Sequence, residues 1–344
     1  MKTLIVSDVP FGYGSGQVAY LRDSLSKIGH EVNIICPSYE SRPVIPDVSV
    51  EIVITRNPAF TLQGHKEFLE EVKGKLKRSD YNHIVIVNPK NLFILKYLGK
   101  EYLITYYGLE TLENQFYSYR YAKKLFNKVD LAIFPESNRL ERDERYFPPQ
   151  TDFFLVFNST PLPINQKGNS KKERDIIYAG NLDPDQVDIA AILELAKLAK
   201  VEVYGDLTEY KQSNLLEIYR GLLSGEDVMS ELMNSRFSLV AWKPNNFSQR
   251  NASPNKLFQA ISVGVPIISY PYPQAKEIVQ RYGIGILAEN FESSSLVQAG
   301  RKAMELKLSD YEEMSERALH AFCNDLNWEN QISPYILKIT GYQN

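Results

Sequence analysis

The stretch Ser253–Tyr270, SPNKLFQAISVGVPIISY, constrains this chain more than any other. It reads as a short loop, a helix of two to three turns, a glycine stop and a buried strand. Ser253 is expected at the N-cap and Pro254 at the first helical position, where a missing N–H leaves no partner wanting. Leu257, Phe258 and Ile261 fall on one helical face and can pack on a sheet. Gly264 offers a left-handed C-terminal residue, and Pro266 stops the helix from continuing. Ser253, Asn255 and Lys256 crowd the first turn, where free backbone N–H groups and the positive dipole end favour an anion. Gln259 lies one turn on from Lys256 and shares its face. Two readings stand side by side: a diphosphate at the helix start with Gln259 on a sugar hydroxyl, or a capped helix with a solvated Lys and Gln.

The alternation of helix and strand recurs along the whole chain. Leu4–Val9 reads as a strand, followed by the glycine-rich loop Pro10–Gly16, a helix with Val18, Leu21, Leu25 and Ile28 on one face, and a strand at Glu31–Cys36. Gly14-Ser15-Gly16-Gln17-Val18-Ala19 satisfies G-x-G-x-x-A, but the second strand ends in Cys36-Pro37-Ser38, without the acidic residue that would hold an adenosine ribose. Strands are expected at 50–55, 83–87, 102–106, 131–134 and 153–157, and helices at 66–77, 109–127 and 137–146. Residues 159–174, polar and proline-bearing, break the rhythm as a linker would. It restarts with strands at 175–179, 201–204, 237–242 and 285–287, and helices at 186–199, 228–233 and 275–282 before two C-terminal helices. Such alternation predicts an α/β chain of two doubly wound parallel sheets with helices on both faces.

Composition narrows the function classes. A length of 344 residues suffices for two domains with their own cores, and 44% hydrophobic with 24% charged residues is a globular balance. A net charge of −3 gives no support to bulk nucleic-acid binding. Cys36 and Cys323, far apart, offer no zinc site and suit a reduced, cytoplasmic setting. The apolar run at the N-terminus is too short for a signal peptide, and no run of eighteen apolar residues exists to span a membrane.

SPNKLFQAISVGVPIIS resembles the donor-site helix of GT-B glycosyltransferases, in particular the group-1 (glycogen-synthase-like) retaining set. GHEVNIICP after a glycine loop resembles the first βαβ unit of that family. DIIYAGNLDPDQVDIAAILELAKLAKVEVYG resembles the opening of its second domain, and NWENQISPYILKI its last helix. The resemblance implies two Rossmann-like domains facing across a cleft: an acceptor-side domain at 1–160, a linker at 161–174, a nucleotide-sugar domain at 175–325, and a helix at 326–344 returning to the first domain. It implies a glycosyltransferase that moves a sugar from a nucleotide-sugar to a glycan or lipid-linked acceptor in surface polysaccharide assembly. The nucleotide-sugar is then a co-substrate, and no cofactor is called for. The absence of a D-x-D sequence in the first half agrees with metal independence.

Carried over residue by residue, the resemblance places the donor diphosphate on Gly14, Ser15 and Gly16 and on Ser253, Pro254, Asn255 and Lys256. The ribose and sugar would meet Gly180, Asn181, Asn251 and Gln259. Three of these depart from the pattern: Gln259 and Asn251 stand where the family carries Glu, and Asn181 where it commonly carries Arg. Arg250 or Lys243 is expected to supply the missing positive charge. Asp183 and Asp185 lie where the family has a Lys, and suit capping of the next helix better than a metal.

Acid–base candidates are few. His30 and His83 sit at strand starts and read as structural, and Tyr106, Tyr107 and Gly108 occupy the place of a family histidine. Asp8, after the first strand, and Glu110 are the candidate catalytic carboxylates. Each has a plainer reading, Asp8 as a strand-end cap and Glu110 as first-turn acid of the next helix. In the family the departing diphosphate is thought to take the acceptor proton, so that positioning and charge stabilisation carry the reaction. The basic, aromatic segment 117–128, with Lys73–Arg78, is either a solvated face or a contact with an anionic membrane. The three neutral replacements leave open a GT-B-like binding or assembly subunit without turnover. A sugar-nucleotide epimerase is a further alternative, which would want more acid–base residues.

Overall fold

A computed structural model describes residues 1–9, 11, 16–38, 47–112, 119–162, 172–206, 213–223 and 225–342. The chain divides into two compact units, Met1–Phe157 with Gln331–Asn344, and Asn158–Asn330. The expected linker, 161–174, lies largely outside the described residues.

In the first unit, seven strands run parallel among the described residues: β1 (Lys2–Val6), β2 (Glu31–Pro37), β3 (Val50–Val53), β4 (His83–Val87), β5 (Leu103–Tyr107), β6 (Leu131–Phe134) and β7 (Asp152–Leu155). Their order is β3-β2-β1-β4-β5-β6-β7. The inner strands β1, β4 and β6 are mostly apolar, because both of their faces are buried. Helix Gln17–Lys27 buries Val18, Leu21 and Leu25, and helix Leu62–Arg78 buries Phe68, Leu69, Val72 and Leu76. Thr61 caps the latter, accepting from the Gly64 N–H at 3.1 Å. Much of the aromatic content fills the core: Phe126 stacks on Phe147 at 4.0 Å, and Tyr106 meets both edge-on or tilted.

The long helix expected at 109–127 is not found. The described helix is Tyr119–Phe126, and 109–112 form a turn, with 113–118 outside the described residues. The Leu109 carbonyl accepts from Arg139 and the Glu110 N–H donates to Asn88, so both polar ends of this peptide are held by side chains from elsewhere.

The second unit contains β8 (Arg174–Ala179), β9 (Val201–Tyr204), β10 (Tyr219–Gly221), β11 (Ser235–Val240), β12 (Ile267–Ser269) and β13 (Gly285–Leu287). They form a parallel sheet in the order β10-β9-β8-β11-β12-β13. The helix expected from Gln186 begins only at Ile189. Asp188 caps it, accepting from the Ala191 N–H at 3.0 Å, and Val187 forms an isolated antiparallel bridge with Trp242. Asp183 instead turns its own loop, accepting from the Asp185 N–H at 2.9 Å. Helices Ser293–Met304, Leu308–Ala321 and Trp328–Gly341 follow. Among the described residues no helix is long and apolar enough to cross a membrane.

Candidate functional site

In a parallel sheet every strand ends at the same edge, so residues just past the strands of one unit gather whatever their sequence separation. In the second unit that edge carries Gly180 after β8, Gly205 after β9, Trp242 after β11 and Tyr270 after β12. Helix Asn255–Ser262 connects β11 to β12. It begins one residue later than expected. Pro254 takes the cap position (φ −75°, ψ 122°), and no side chain caps the turn. Ser253 therefore lies outside the helix. Its hydroxyl is buried with no hydrogen-bond partner among the described residues, and its carbonyl accepts from Asn158 Nδ2 at 2.9 Å. Leu257, Phe258 and Ile261 are buried, and Gly264 closes the helix at φ +70° with the Val265 N–H returning to the Ala260 carbonyl at 3.0 Å.

Lys256 is the centre of this edge. Its ammonium lies 5.1 Å from the ring centroid of Tyr178 and 5.3 Å from that of Trp242. Among the described residues no anionic or hydrogen-bonding group pairs with it, and burial alone pushes its pKa down to about 8. An aromatic face stabilises a cation but does not neutralise it. Gly180 makes the arrangement possible. With φ +147°, it occupies a backbone region suited to glycine, and a Cβ there would fall on the ammonium and reach 2.7 Å from Lys256 Cε. A Cβ on Gly205 would likewise strike the Gly180 carbonyl.

The remaining candidates on this unit are committed to their own loops. Asn181 is exposed; its Oδ1 accepts from the Asp183 N–H at 3.0 Å, and its carbonyl accepts from the Tyr178 hydroxyl at 2.7 Å. Asn251 Nδ2 donates to the Phe247 carbonyl at 2.9 Å. Arg250 is exposed on the short helix Phe247–Arg250, with Nε on the Pro244 carbonyl at 2.9 Å. Lys243 Nζ donates to the Pro184 carbonyl at 2.7 Å, which fastens the loop after β11 to the loop after β8. Among the described residues both cations bond to backbone carbonyls and to no carboxylate. Asn255 and Gln259 are half-buried in the helix beside Lys256.

The first unit has a comparable edge. Asp8 follows β1, Asn88 follows β4, Glu110 follows β5 and Glu136 follows β6. Burial raises the Asp8 pKa to about 6, against the lowering effects of the Asn88 amide and Lys90. Glu110 is exposed, and the residues from 113 that would continue a helix from it lie outside the described residues. Glu136 and Arg139 form a buried ion pair. Burial lifts the Glu136 carboxyl to about 7, although Arg139 opposes it. Gly16 adjoins helix Gln17–Lys27, whereas Gly14 and Ser15 lie outside the described residues. His30 and His83 are buried at the opposite edge, bonded to Thr3 at 2.9 and 3.1 Å.

The sequence reading misses Asn88, the Tyr178–Trp242 pair and the Glu136–Arg139 pair. Asn88-Pro89 signals a turn, but not the side-chain bonds that the turn makes. The two aromatics carry the faint signal of standing at the ends of strands beside glycine or loop.

No family model matches the chain, and no curated protein matches it. Solved structures do. The chain is similar to sucrose-phosphate synthase from Thermosynechococcus elongatus over 100% of its own length and 99% of that chain, with TM-score 0.75 and 13% identity. WaaG, a glycosyltransferase involved in lipopolysaccharide biosynthesis, is matched over 99% of this chain and 100% of its own, with TM-score 0.70 and 13% identity. Anabaena HepE in complex with UDP-glucose is matched over the same shares, with TM-score 0.72 and 13% identity. With both parallel sheets included in these alignments, the chain has the fold of the GT-B glycosyltransferases.

Proposed function

We propose that the protein is a glycosyltransferase that takes its sugar from a nucleotide-sugar, with the donor diphosphate on the edge of the second unit that carries Lys256. The observation that carries this reading is the Lys256 ammonium, close to two aromatic rings and without an anionic partner among the described residues, at the start of a helix that no side chain caps. A diphosphate supplies the missing counter-charge, and the helix dipole adds to its attraction. Ser253, Pro254 and Asn255 lead the backbone into that turn, and Gln259, half-buried one turn on, is assigned to a ribose or sugar hydroxyl. Gly180, Asn181, Arg250 and Asn251 border it. HepE, of the same fold, is seen in complex with UDP-glucose.

The chemistry follows from charge. As the bond from the anomeric carbon to the diphosphate breaks, negative charge grows on the leaving oxygen, and a fixed ammonium stabilises it without reorganisation. Stereochemical retention, with the leaving diphosphate taking the acceptor proton, is consistent with so exposed a Glu110. Asp8 is the carboxylate of the first unit assigned to orient the acceptor hydroxyl. A glycan or lipid-linked acceptor in surface polysaccharide assembly belongs to the same proposal. So does a peripheral contact through the lysines of helix Leu62–Arg78 and exposed Lys123 and Lys124.

The self-bonded side chains of Asn181 and Asn251 favour a second reading, a subunit that binds nucleotide-sugars without turnover. A thermal-shift screen against UDP-, GDP-, dTDP- and CMP-sugars, with Lys256→Ala alongside, tests the donor site. Stabilisation by one nucleotide class, absent in the variant, is expected. A flat response to every nucleotide removes the assignment.

A further inference from the structure

We propose that Asn88 is a positioning residue whose side-chain amide joins the Asp8 carboxylate to the peptide that presents Glu110, fixing the two carboxylates of the first unit in relation to one another. Asn88 is the only non-glycine residue with positive φ among the described residues, at φ +67° and ψ 155°. That region is occupied almost solely by glycine, because a Cβ there crowds the backbone. The ψ value suits a residue before proline, and Pro89 follows. Glycine would satisfy this backbone without strain, so the side chain must be retained for what it bonds.

Both ends of the amide are used. Nδ2 donates to Asp8 Oδ1 at 2.9 Å, and Oδ1 accepts from the Glu110 N–H at 2.8 Å. The orientation of the amide follows from chemistry, since a backbone N–H can only donate and a carboxylate can only accept. The other end of the same peptide is held as well: the Leu109 carbonyl accepts from Arg139 Nη1 at 2.5 Å, and Arg139 is ion-paired with buried Glu136. The Leu109–Glu110 peptide is thus clamped on both sides, and one clamp is also the hydrogen-bond donor to Asp8. Asn88 itself is 1% exposed, with its backbone N–H on the Tyr107 carbonyl at 2.9 Å.

The charged and titratable groups that bear on Asp8 come from the ends of two strands, β4 and β5. Lys90, past β4, favours its charged form, and Glu110, past β5, disfavours it. The hydroxyl of Tyr106, within β5, also lies in its field. Without the amide, Asp8 keeps its burial and the Glu110 repulsion but loses the hydrogen bond that Asn88 Nδ2 donates to it. That the carboxylate serves sugar transfer rests on the function proposed above; the placement of Asp8 by Asn88 does not.

The test reads Asp8 directly. Carbon-13 NMR of the full chain follows the Asp8 carboxyl through a pH titration, assigned by its loss in Asp8→Asn. Asn88→Gly keeps the backbone and removes the amide; Asn88→Asp keeps an acceptor for the Glu110 N–H and removes the donor to Asp8. The expected result is that both variants fold and that the Asp8 midpoint rises by about one pH unit in Asn88→Gly and further in Asn88→Asp, where a like charge adjoins it. A folded Asn88→Gly with an unchanged midpoint overturns the proposal. An unfolded Asn88→Gly overturns it too, since the side chain would then serve the fold. Failure of the glycosyltransferase reading shows separately, as the absence of any nucleotide response in the wild-type protein.

Discussion

Lys256 and Asp8 each hold a charge in surroundings that oppose it, and each opposition has a measurable sign. The Lys256 pKa is depressed to about 8 in the folded chain. Its unfolded value is higher, so folding at neutral pH carries a penalty that disappears as pH rises from about 8 through the unfolded value near 10.4. Lys256→Met is expected to stabilise the protein at pH 7 by about 1–2 kcal/mol, after discounting for residual exposure, while abolishing nucleotide binding. Denaturant unfolding of the variant beside the wild type measures this. A diphosphate restores the lysine's proton affinity, so binding above pH 8 should take up a proton, visible by calorimetry in buffers of different ionisation enthalpy. Asp8 runs the other way. Its folded pKa of about 6 exceeds the unfolded value near 3.9, so its contribution to stability is lost as pH climbs from about 4 to 6. Asp8→Asn should equal the wild type at pH 4 and exceed its stability at pH 7.5 by about 1–3 kcal/mol.

The helix Asn255–Ser262 shows how an element can be legible while its chemistry is only half so. Its apolar face, the Gly264 stop and Lys256 in its first turn follow from spacing and side-chain type. The start was misplaced by one residue because Pro254 fits both the cap and the first helical position sterically, and sequence alone does not choose. The helix expected over 109–127 failed for a different reason. Glu110 and Thr111 carry good local signals for a helix start, but the side chains that bind the turn come from elsewhere in the chain, Asn88 from just past β4 and Arg139 from the helix Ser137–Asp143. Gly180 is legible in one respect and not in the other. Its strand-ending position was expected, whereas its role as the space into which Lys256 fits was not. Gly180→Ala is predicted to expel the ammonium from between Tyr178 and Trp242 and weaken nucleotide affinity about tenfold or more, a loss that isothermal titration would register. The strain of an alanine at φ +147° should also lower stability by about 1–3 kcal/mol.

At the scale of the whole molecule, the alternation of strands and helices was enough to foresee two parallel sheets, because buried strands and amphipathic helices leave separate signatures in the sequence. Strand order is not written locally. It alone brings Asp8, Asn88 and Glu110 together across eighty and more residues of chain. The opposite edge of the first sheet carries a second device: Thr3, His30, His83 and Thr105 form a buried hydrogen-bond chain that ends on the Tyr335 hydroxyl, 3.1 Å from Thr105. Burial lowers His30 to about 4 and His83 to about 3. Both lie below the unfolded value near 6.5, so the unfolded chain binds more protons, and stability falls as pH drops from about 6.5 toward 3. A melting series should show this acid loss, reduced in His83→Asn. If the edge around Lys256 breaks a nucleotide-sugar, free nucleoside diphosphate is released from one member of a panel of nucleotide-sugars, which an assay with Lys256→Ala as control measures. Release from one nucleotide class, abolished in the variant, is the predicted result; a protein that neither binds nor cleaves any of them contradicts it.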